Sequence, residues 1–357
     1  MSYSFPPTEG GTERYLQQLC SFFSHRGHDL TVLTLRDSLT TESNRNTSNK
    51  FGVRNGMYSI KQFQNLLPMK GFHISPSLQW YYYRHRFDFD LTLVSSYSSF
   101  LGLEVAPFSF PPIVFVPQYH GTLSDSSFRS IVHLPFRRLA SLLIRRARKI
   151  VCMSNFERNR FLNDFPLAMS KVLVIREGVE TIKCSGQTRT RNRILIVSRL
   201  EEYKGIQYVL RAMKYMPESY LDIVGEGGYR PDLERVCEYM GIRSRVTFHG
   251  HVSDQELVEL YCRGGVFVSL SRFEAYGISV AQALSAGMPC VVLKGSALED
   301  WINQDSCYGV NDPNDSYSVA NAISRARLLE PQVQVPSNEE HFLKLEELLK
   351  EVNESRL

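Results

Sequence analysis

Two cations share one short loop that follows an apolar, strand-like run. The run Ile194–Val197 leads into segment 198–205 (SRLEEYKG), which carries Arg199 and Lys204. In a parallel sheet, such a strand-to-helix loop lies at the edge where ligands bind. Positive groups held there could stabilise the negative charge that develops on a leaving diphosphate. The alternative is a solvated surface loop, where most Arg and Lys side chains are found.

A second loop combines a carboxylate with the start of a helix. Another apolar run is followed by segment 271–289 (SRFEAYGISVAQALSAGMP), which places Glu274 ahead of a helix predicted to begin near Gly277. The backbone N–H groups of Gly277 and Ile278 would present the positive end of this helix to a phosphate. Gln282 lies inside the helix among apolar neighbours.

Two weaker signals follow other predicted strands. Gly225 opens segment 225–228 (GEGG), where glycines could let a ligand approach the backbone or could simply connect strand to helix. His120, in segment 118–121 (QYHG), lies on a post-strand loop and is followed by glycine. An isolated histidine is more often a hydrogen-bonded residue at the edge of a core. In an α/β fold of this kind, however, we interpret His120 as a candidate functional residue.

Metal ligands are not evident in the sequence. Asp88 and Asp90 flank a phenylalanine, but they precede a predicted strand and are interpreted as part of a solvated turn. His249 and His251 are two residues apart, yet no cysteine or carboxylate cluster completes a metal site. We therefore expect neither a metal ion nor another cofactor.

Strand-like and helix-like patterns alternate along the whole chain. The strand candidates are short and rich in Val, Ile and Leu, as parallel strands buried on both faces should be. This alternation predicts an α/β fold with two doubly wound, Rossmann-like domains facing across a cleft. The predicted strands are Leu30–Leu35, Leu91–Val94, Ile113–Val116, Ile150–Met153, Val172–Ile175, Ile194–Val197, Leu221–Val224, Val246–Phe248, Val266–Leu270 and Pro289–Leu293.

The polar stretch 183–192 (KCSGQTRTRN) is the best linker. We therefore predict an N-terminal domain over 1–183, a C-terminal domain over 184–335, and a final helix within 336–357 that could pack on either domain. Residues 1–183 carry a net charge of +9 (22 Lys/Arg, 13 Asp/Glu) and the remainder −5 (19 and 24), which suggests different partners for the two domains. The glycine-rich turn 6–11 (PPTEGG) leaves only Tyr3–Phe5 for a first strand, which is therefore short or missing.

Composition points to a soluble, intracellular protein. Of the 357 residues, 43% are hydrophobic and 22% charged, and no stretch approaches the roughly 18 apolar residues that span a bilayer. The polar N-terminus does not look like a secretory signal. The seven cysteines are scattered, and Cys152, Cys262 and Cys290 fit buried core positions, so we expect a cytoplasmic location.

These motifs, taken as a set, resemble those of the retaining glycosyltransferases of group 1, also called family 4, which have the GT-B fold. That family has a glutamate, seven residues and a second glutamate within a segment that ends in G-x-P. The similarity covers nearly the whole chain. It includes 271–289, the Arg199/Lys204 loop, 250–261 (GHVSDQELVELY), 176–180 (REGVE), and 6–11 together with Gly27–His28.

The resemblance implies a role for each matching position in the C-terminal half. Glu274 would accept hydrogen bonds from hydroxyls of a donor sugar. Arg199 and Lys204 would clamp the diphosphate of a nucleotide-sugar donor, together with the backbone at Tyr276 and Gly277. The leaving diphosphate itself would take the acceptor's proton, so that neither a carboxylate nucleophile nor a metal ion is required. The acceptor would be a sugar or a lipid-linked glycan.

The resemblance also assigns the remaining contacts. Gly10 and Gly11 would let the first-domain loop approach the phosphates, and His120 would lie near the transferred sugar. The base would stack near Val252. Gln282 would meet the ribose hydroxyls, but it replaces the family's second glutamate. An amide lacks the two charged oxygens of a carboxylate, so we expect weaker nucleotide binding or an altered preference.

A basic stretch raises the question of a membrane. Between residues 126 and 156 there are seven cations and no acidic residue. Contact of residues 129–149 with anionic lipid is one interpretation, and a helix with one solvated face is the other. We expect no nucleic-acid partner, because the neighbouring aromatic residues are not spaced as a stacking platform. The seven cations are Arg129, Arg137, Arg138, Arg145, Arg146, Arg148 and Lys149.

Two other functions remain open at this point. A nucleotide-sugar epimerase of the same build would need acid and base side chains facing the sugar. The Arg199/Lys204 loop and the G-x-P ending favour the transferase. A non-catalytic relative that only binds a partner would fit Gln282 and the short N-terminus.

Overall fold

The computed structural model describes residues 1–2, 5, 11–35, 53–54, 58–66, 74–97, 101–119, 127–184 and 189–355, without the side chains of 11–12, 53–54 and 127–136. They form two compact units. Unit 1 comprises Met1–Met153, Glu157–Arg176 and Glu339–Leu357, and unit 2 comprises Ser154–Phe156 and Glu177–Asn338.

The chain therefore changes unit after Arg176, ahead of the predicted limit at residue 183. The reason is a short pairing inside unit 2. Val179 N–H donates to Pro336 O at 3.0 Å, and Asn338 N–H donates to Val179 O at 3.2 Å. These bonds hold segment 177–184 in unit 2.

The described residues of unit 1 form two sheets, and the first two residues of the chain lie between them. One sheet has the order β1-β3-β2, with β1 parallel to β3 and β2 antiparallel to it. The other has the order β4-β5-β6-β7 and is parallel throughout. The elements are β1 (Thr31–Leu35), β2 (Val53–Arg54), β3 (Ser59–Phe63), β4 (Thr92–Ser95), β5 (Ile113–Val116), β6 (Ala147–Cys152), β7 (Val172–Val174), α1 (Gly11–His25), α2 (Pro76–His85), α3 (Leu101–Val105), α4 (Ser127–Arg146) and α5 (Asn155–Asp164).

The first two residues connect these sheets. Ser2 N–H donates to Leu33 O on β1 at 3.2 Å, while Ser95 N–H on β4 donates to Met1 O at 2.9 Å. Met1 and Ser2 thus occupy the position of a central first strand. Of the predicted first strand Tyr3–Phe5, only Phe5 is among the described residues.

In unit 2, the residues that the structure describes form one six-stranded parallel sheet. Its order is β10-β9-β8-β11-β12-β13, which is 3-2-1-4-5-6 when the strands are counted within the unit, the order of a Rossmann sheet. The elements are β8 (Thr190–Val197), β9 (Tyr220–Val224), β10 (Val246–Gly250), β11 (Gly264–Ser269), β12 (Cys290–Leu293), β13 (Cys307–Val310), α6 (Ile206–Ala212), α7 (Arg230–Tyr239), α8 (Asp254–Arg263), α9 (Ile278–Ser285) and α10 (Ser316–Ala326).

The C-terminal helix α11 (Asn338–Glu354) is grouped almost entirely with unit 1. The buried His341 donates from Nδ1 to Arg176 O at 2.8 Å, and its Nε2 accepts a hydrogen bond from the Tyr15 hydroxyl of α1 at 2.9 Å. Glu346 bonds to Arg26 Nε at 3.0 Å. Among the described residues, no helix is both long and apolar enough to cross a membrane.

The three cysteines predicted to lie in the core are all buried, but one of them is not a free thiol. Cys152 and Cys290 are free thiols, whereas Cys262 forms a disulfide with Cys184. The two lie 78 residues apart in sequence, and their Cα atoms lie 5.4 Å apart. Segment 182–184 runs beside the end of α9, where Ile182 N–H donates to Ser285 Oγ at 3.4 Å. The expectation of a reducing compartment rested on unpaired cysteines, and Cys262 no longer supports it.

Candidate functional site

The two loops singled out in the sequence follow neighbouring central strands of unit 2. Segment 198–205 follows β8, and segment 270–277 follows β11. Strands β8 and β11 pair directly, and the strand order reverses between them. Ligands of open α/β sheets bind beyond the carboxyl ends of the strands at such a point. The fold therefore brings the cationic loop and the carboxylate loop to the position expected of a binding site.

An ion pair joins these loops. Lys204 Nζ donates to Glu274 Oε1 at 2.6 Å, and the side chains are only 13% and 21% exposed. The backbones also meet, since Arg272 N–H donates to Tyr203 O at 3.0 Å. Gly205 makes this approach possible: its φ is +76°, and a Cβ there would lie 2.4 Å from Leu270 O. The cation and the carboxylate are thus held in fixed relation.

Arg199 is linked to this pair through an aromatic residue that no pattern in the sequence indicated. Arg199 is exposed, and its Nη2 donates to the Tyr203 hydroxyl at 2.9 Å. Lys204 Nζ lies 5.2 Å from the centre of the Tyr203 ring, a cation–π arrangement. The Tyr203 ring also contacts Phe273, with ring centres 5.8 Å apart. Tyr203 therefore orients both cations on the loop.

A hydrogen bond to the peptide between Tyr276 and Gly277 fixes the start of α9. Trp301 Nε1 donates to Tyr276 O at 2.8 Å. Because a trans peptide points its N–H opposite to its carbonyl, the N–H of Gly277 points away from Trp301. Gly277 has φ of +90°, and a Cβ there would lie 2.5 Å from Leu298 Cδ2. With Ile278 at the first helical position, this end of α9 is suited to binding an anion.

Gln282 is anchored by a buried tyrosine. The Tyr261 hydroxyl donates to Gln282 Oε1 at 3.2 Å and also lies 3.3 Å from Ser279 O. Burial raises the pKa of Tyr261, so the hydroxyl stays neutral and remains a donor. The amide is thus held in one orientation on α9.

The remaining unit 2 candidates lie on neighbouring loops. Gly225 has φ of +123°, and a Cβ there would lie 2.0 Å from Ser198 O. The close packing of the loop after β8 against the loop after β9 is therefore enough to explain the glycine, without any ligand. Val252 is half-buried and follows β10, two strands away from β8. A ligand role for either residue stays a prediction.

In unit 1, Gly10 and His120 lie outside the described residues, and Gly11 begins α1. The residue before His120 is firmly held. Tyr119 N–H donates to Glu157 Oε1 at 2.6 Å, and Met153 N–H donates to Glu157 Oε2 at 2.6 Å. Burial raises the pKa of Glu157 to about 7. A glutamate in the first turn of a helix is usually solvated, so no local pattern in the sequence indicated this role.

His249, on β10, makes a structural contact. His249 Nε2 bonds to Asp222 Oδ1 at 2.9 Å, and Arg193 Nη1 donates to Asp222 Oδ2 at 2.7 Å. Within the described parts of the chain, no group of three or more His, Cys, Asp or Glu residues could hold a metal ion.

Both halves of the chain match the sequence profiles of known protein families. The sequence profile "Glycosyl transferases group 1" matches residues 180–339, and the profile "Glycosyltransferase Family 4" matches residues 9–183. An uncharacterized glycosyltransferase of Methanocaldococcus jannaschii is 38% identical over 115 residues, 31% of this chain and 30% of that protein. One component of the phosphatidylinositol N-acetylglucosaminyltransferase of Homo sapiens is 24% identical over 304 residues, 80% of this chain and 60% of that protein.

The fold has close counterparts among solved structures. Anabaena HepE, solved with UDP and glucose, matches with a TM-score of 0.74 at 17% identity over 98% of both chains, which confirms the predicted GT-B fold. The chain spans less than two thirds of the length of the two curated relatives above. The two profiles together cover residues 9–339, and the chain belongs to the group 1 family of glycosyltransferases.

Proposed function

We propose that the protein transfers a sugar from a nucleotide-diphosphate sugar to a glycan or lipid-linked acceptor, with retention of configuration and without a metal ion. The observation that carries this proposal is the Lys204–Glu274 pair at the point where the strand order of unit 2 reverses. A carboxylate accepts hydrogen bonds from sugar hydroxyls, and an ammonium group attracts phosphate oxygens. Side chains for both parts of a nucleotide sugar therefore lie within hydrogen-bonding distance of each other.

Positive charge surrounds the position proposed for the diphosphate. Arg199 and Lys204 supply two cations, and the start of α9 at Ile278 supplies a helix end. Charge of this kind stabilises a leaving diphosphate as the glycosidic bond breaks. These groups could take the place of a divalent ion, which is our reason for proposing metal independence.

Retention follows from reaction on one face of the sugar. The acceptor hydroxyl attacks from the side that the diphosphate leaves, and a phosphate oxygen takes the acceptor proton. Glu274 would hold the sugar hydroxyls during this step, and we propose that His120 lies near the transferred sugar. The protein's contribution is then orientation and charge stabilisation, with no covalent intermediate.

The relatives support the substrate classes. Anabaena HepE was solved with UDP and glucose, and the human relative is named as an N-acetylglucosaminyltransferase of phosphatidylinositol. For this chain we propose a nucleotide-sugar donor, an acceptor that is a glycan or is linked to lipid, and a cytoplasmic location at the inner face of the cell membrane.

The decisive experiment begins with thermal unfolding of the full chain in the presence of UDP- and GDP-sugars. A donor that binds raises the melting temperature by mass action. With that donor, we expect release of nucleoside diphosphate that depends on acceptor, persists in EDTA, and gives a product whose anomeric configuration by NMR matches the donor's. Interconversion of the donor sugar without release would instead identify an epimerase. Absence of binding to every nucleotide sugar would overturn the proposal.

A further inference from the structure

Five large aromatic side chains are exposed together on unit 1. Trp80 and Tyr83 lie on α2, and Phe87 follows its end, while Phe108 and Phe110 precede β5. Trp80 is 64% exposed, Phe87 61% and Phe110 55%. A contiguous exposed apolar surface of this kind marks an interaction site more often than a featureless surface.

The rings contact one another and are interleaved with arginines. The rings of Tyr83 and Phe108 are 5.6 Å apart, and those of Phe87 and Phe110 are 4.6 Å apart. The Arg86 guanidinium lies 4.0 Å from the Tyr83 ring centre and 4.5 Å from that of Phe87. We call this surface the aromatic–arginine patch; it comprises Trp80, Tyr83, Arg84, Arg86, Phe87, Phe108 and Phe110.

A basic cleft adjoins the patch. Arg146, at the end of α4, donates to Ala106 O at 3.2 Å and to Ser109 O at 3.0 Å, and so packs on the segment that carries Phe108 and Phe110. The cleft has a volume of about 470 Å³. Its charged lining residues are Arg145, Arg146, Arg148, Lys149, Lys171 and Glu351.

Patch and cleft lie at the amino edge of one sheet. Phe87 precedes β4, Phe110 precedes β5, Arg146 precedes β6 and Lys171 precedes β7. The loop that leads to His120 follows β5 and therefore lies at the carboxyl edge. A four-residue strand separates the two edges by about 13 Å, at ~3.3 Å per residue. The surface is thus distinct from the candidate site.

We propose that the aromatic–arginine patch and the basic cleft together dock unit 1 onto an anionic membrane surface. Trp, Tyr and Phe beside Arg and Lys are the side chains that settle at a lipid headgroup layer, with rings in the interface and cations on phosphates. Charge favours this occupant. Five cations and one carboxylate line the cleft, and Asp88 and Asp90 offset Arg84 and Arg86 beside the patch, so the combined surface keeps an excess of four cations. The contact goes beyond the proposed transfer reaction and does not depend on it.

Exposed residues of α4 continue the same surface. In the part of α4 whose side chains are described, Arg138, Leu139, Leu142 and Arg145 are exposed. Their spacing places them on one face of the helix. Within the predicted contact at residues 129–149, the described side chains from Arg137 onward therefore form one side of a larger surface. The sequence did not reveal this surface, because α2 and the segment before β5 are distant in sequence from α4.

The test is cosedimentation of the full chain with vesicles of phosphatidylcholine alone or mixed with phosphatidylglycerol. We expect binding to the mixed vesicles. Trp80→Ser/Phe87→Ser/Phe110→Ser should reduce it at least about tenfold, and Arg84→Gln/Arg145→Gln by about 30-fold, since each cation near the surface contributes roughly a factor of five. The matched control is Tyr239→Ser/Tyr317→Ser, which removes exposed aromatic side chains (94% and 64% exposed) from unit 2 and should bind like the parent.

Melting temperatures show whether a variant is still folded, and light scattering shows whether it is a monomer or a dimer. The charge variant alters only exposed side chains and should melt like the parent, so its result stands even if the aromatic variant is less stable. Failure of the parent to bind mixed vesicles, or equal binding by parent and charge variant, would overturn the proposal. So would a parent dimer that the aromatic variant converts to monomer. Vesicle binding by a chain that binds no nucleotide sugar would refute the proposed transfer reaction alone.

Discussion

Lys204 Nζ lies 2.6 Å from Glu274 Oε1, although the two residues are 70 positions apart in sequence. The strand order explains the contact, because β8 and β11 pair directly while β9 and β10 lie on the other side of β8. A charge-assisted hydrogen bond of this length is among the stronger side-chain contacts. Both groups are therefore oriented toward each other before any ligand arrives.

Removal of the clamp cation should abolish most of the proposed turnover. We expect Lys204→Ala to lower kcat/KM by about 10²–10³-fold, the usual effect of deleting one charge-stabilising group, and Arg199→Ala to impair turnover as well. Release of nucleoside diphosphate measures this. Lys214→Ala changes an exposed lysine on the same unit and should leave the rate unaltered. Near-normal turnover in both loop variants would refute the diphosphate clamp.

The Lys204–Glu274 ion pair should also contribute to the free energy of unfolding. Glu274→Gln and Lys204→Met each leave the partner charge only 13–21% exposed and without its counter-ion, whereas the double variant removes both charges. We expect a coupling free energy of about 1–3 kcal/mol in a double-mutant cycle, measured by urea unfolding. Additive effects of the two substitutions would show that the contact does not form in solution.

Restoring the family's second carboxylate should strengthen nucleotide binding. In Gln282→Glu, the Tyr261 hydroxyl can still donate to one oxygen, and the added charge strengthens hydrogen bonds from ribose hydroxyls. We expect Kd for the nucleoside diphosphate to fall about tenfold by calorimetry, with kcat little changed. Gln282→Met, which keeps the bulk and loses the acceptor, should weaken binding. Unchanged affinity in both variants would remove Gln282 from the ribose site.

The sequence predicted the elements with strong local signals. All ten predicted strands are present, and so are the two predicted loops that carry Lys204 and Glu274. The strands it missed carry little apolar periodicity. β2 has two residues, β3 (SIKQF) is largely polar, and β13 (CYGV) contains a glycine.

The contacts that orient the site were less predictable. From the sequence alone, Tyr203 is indistinguishable from an ordinary loop residue, and Glu157 from a solvated residue of a polar helix. Their roles depend on which strands are neighbours, and strand order is not a local property of the sequence. The same reasoning applies to Cys262, whose partner Cys184 lies on a segment that the fold brings back beside α9.

Glu157 should act as a positioning residue for the loop that follows β5. Its two oxygens accept from Tyr119 N–H and Met153 N–H, and an amide offers only one acceptor. We expect Glu157→Gln to lower stability by about 1–3 kcal/mol and to reduce kcat more than it raises KM, because the loop leads directly to His120. Arg158→Gln, at the next position of α5, is the control. Loss of stability with unchanged kcat would leave Glu157 a purely structural residue.

Acid should destabilise unit 1 through His341. Burial lowers its pKa from 6.5 to about 4, so the native protein keeps the ring neutral while the unfolded chain protonates it. This contribution is therefore complete above pH 6.5 and is lost as the pH falls toward 4. His341→Asn, which keeps a donor for Arg176 O, should melt lower than the parent at pH 8 and lose less of its melting temperature between pH 8 and 5. His251→Asn, at an exposed position, should retain the parent's acid sensitivity, whereas the same sensitivity in His341→Asn would assign the effect to other groups.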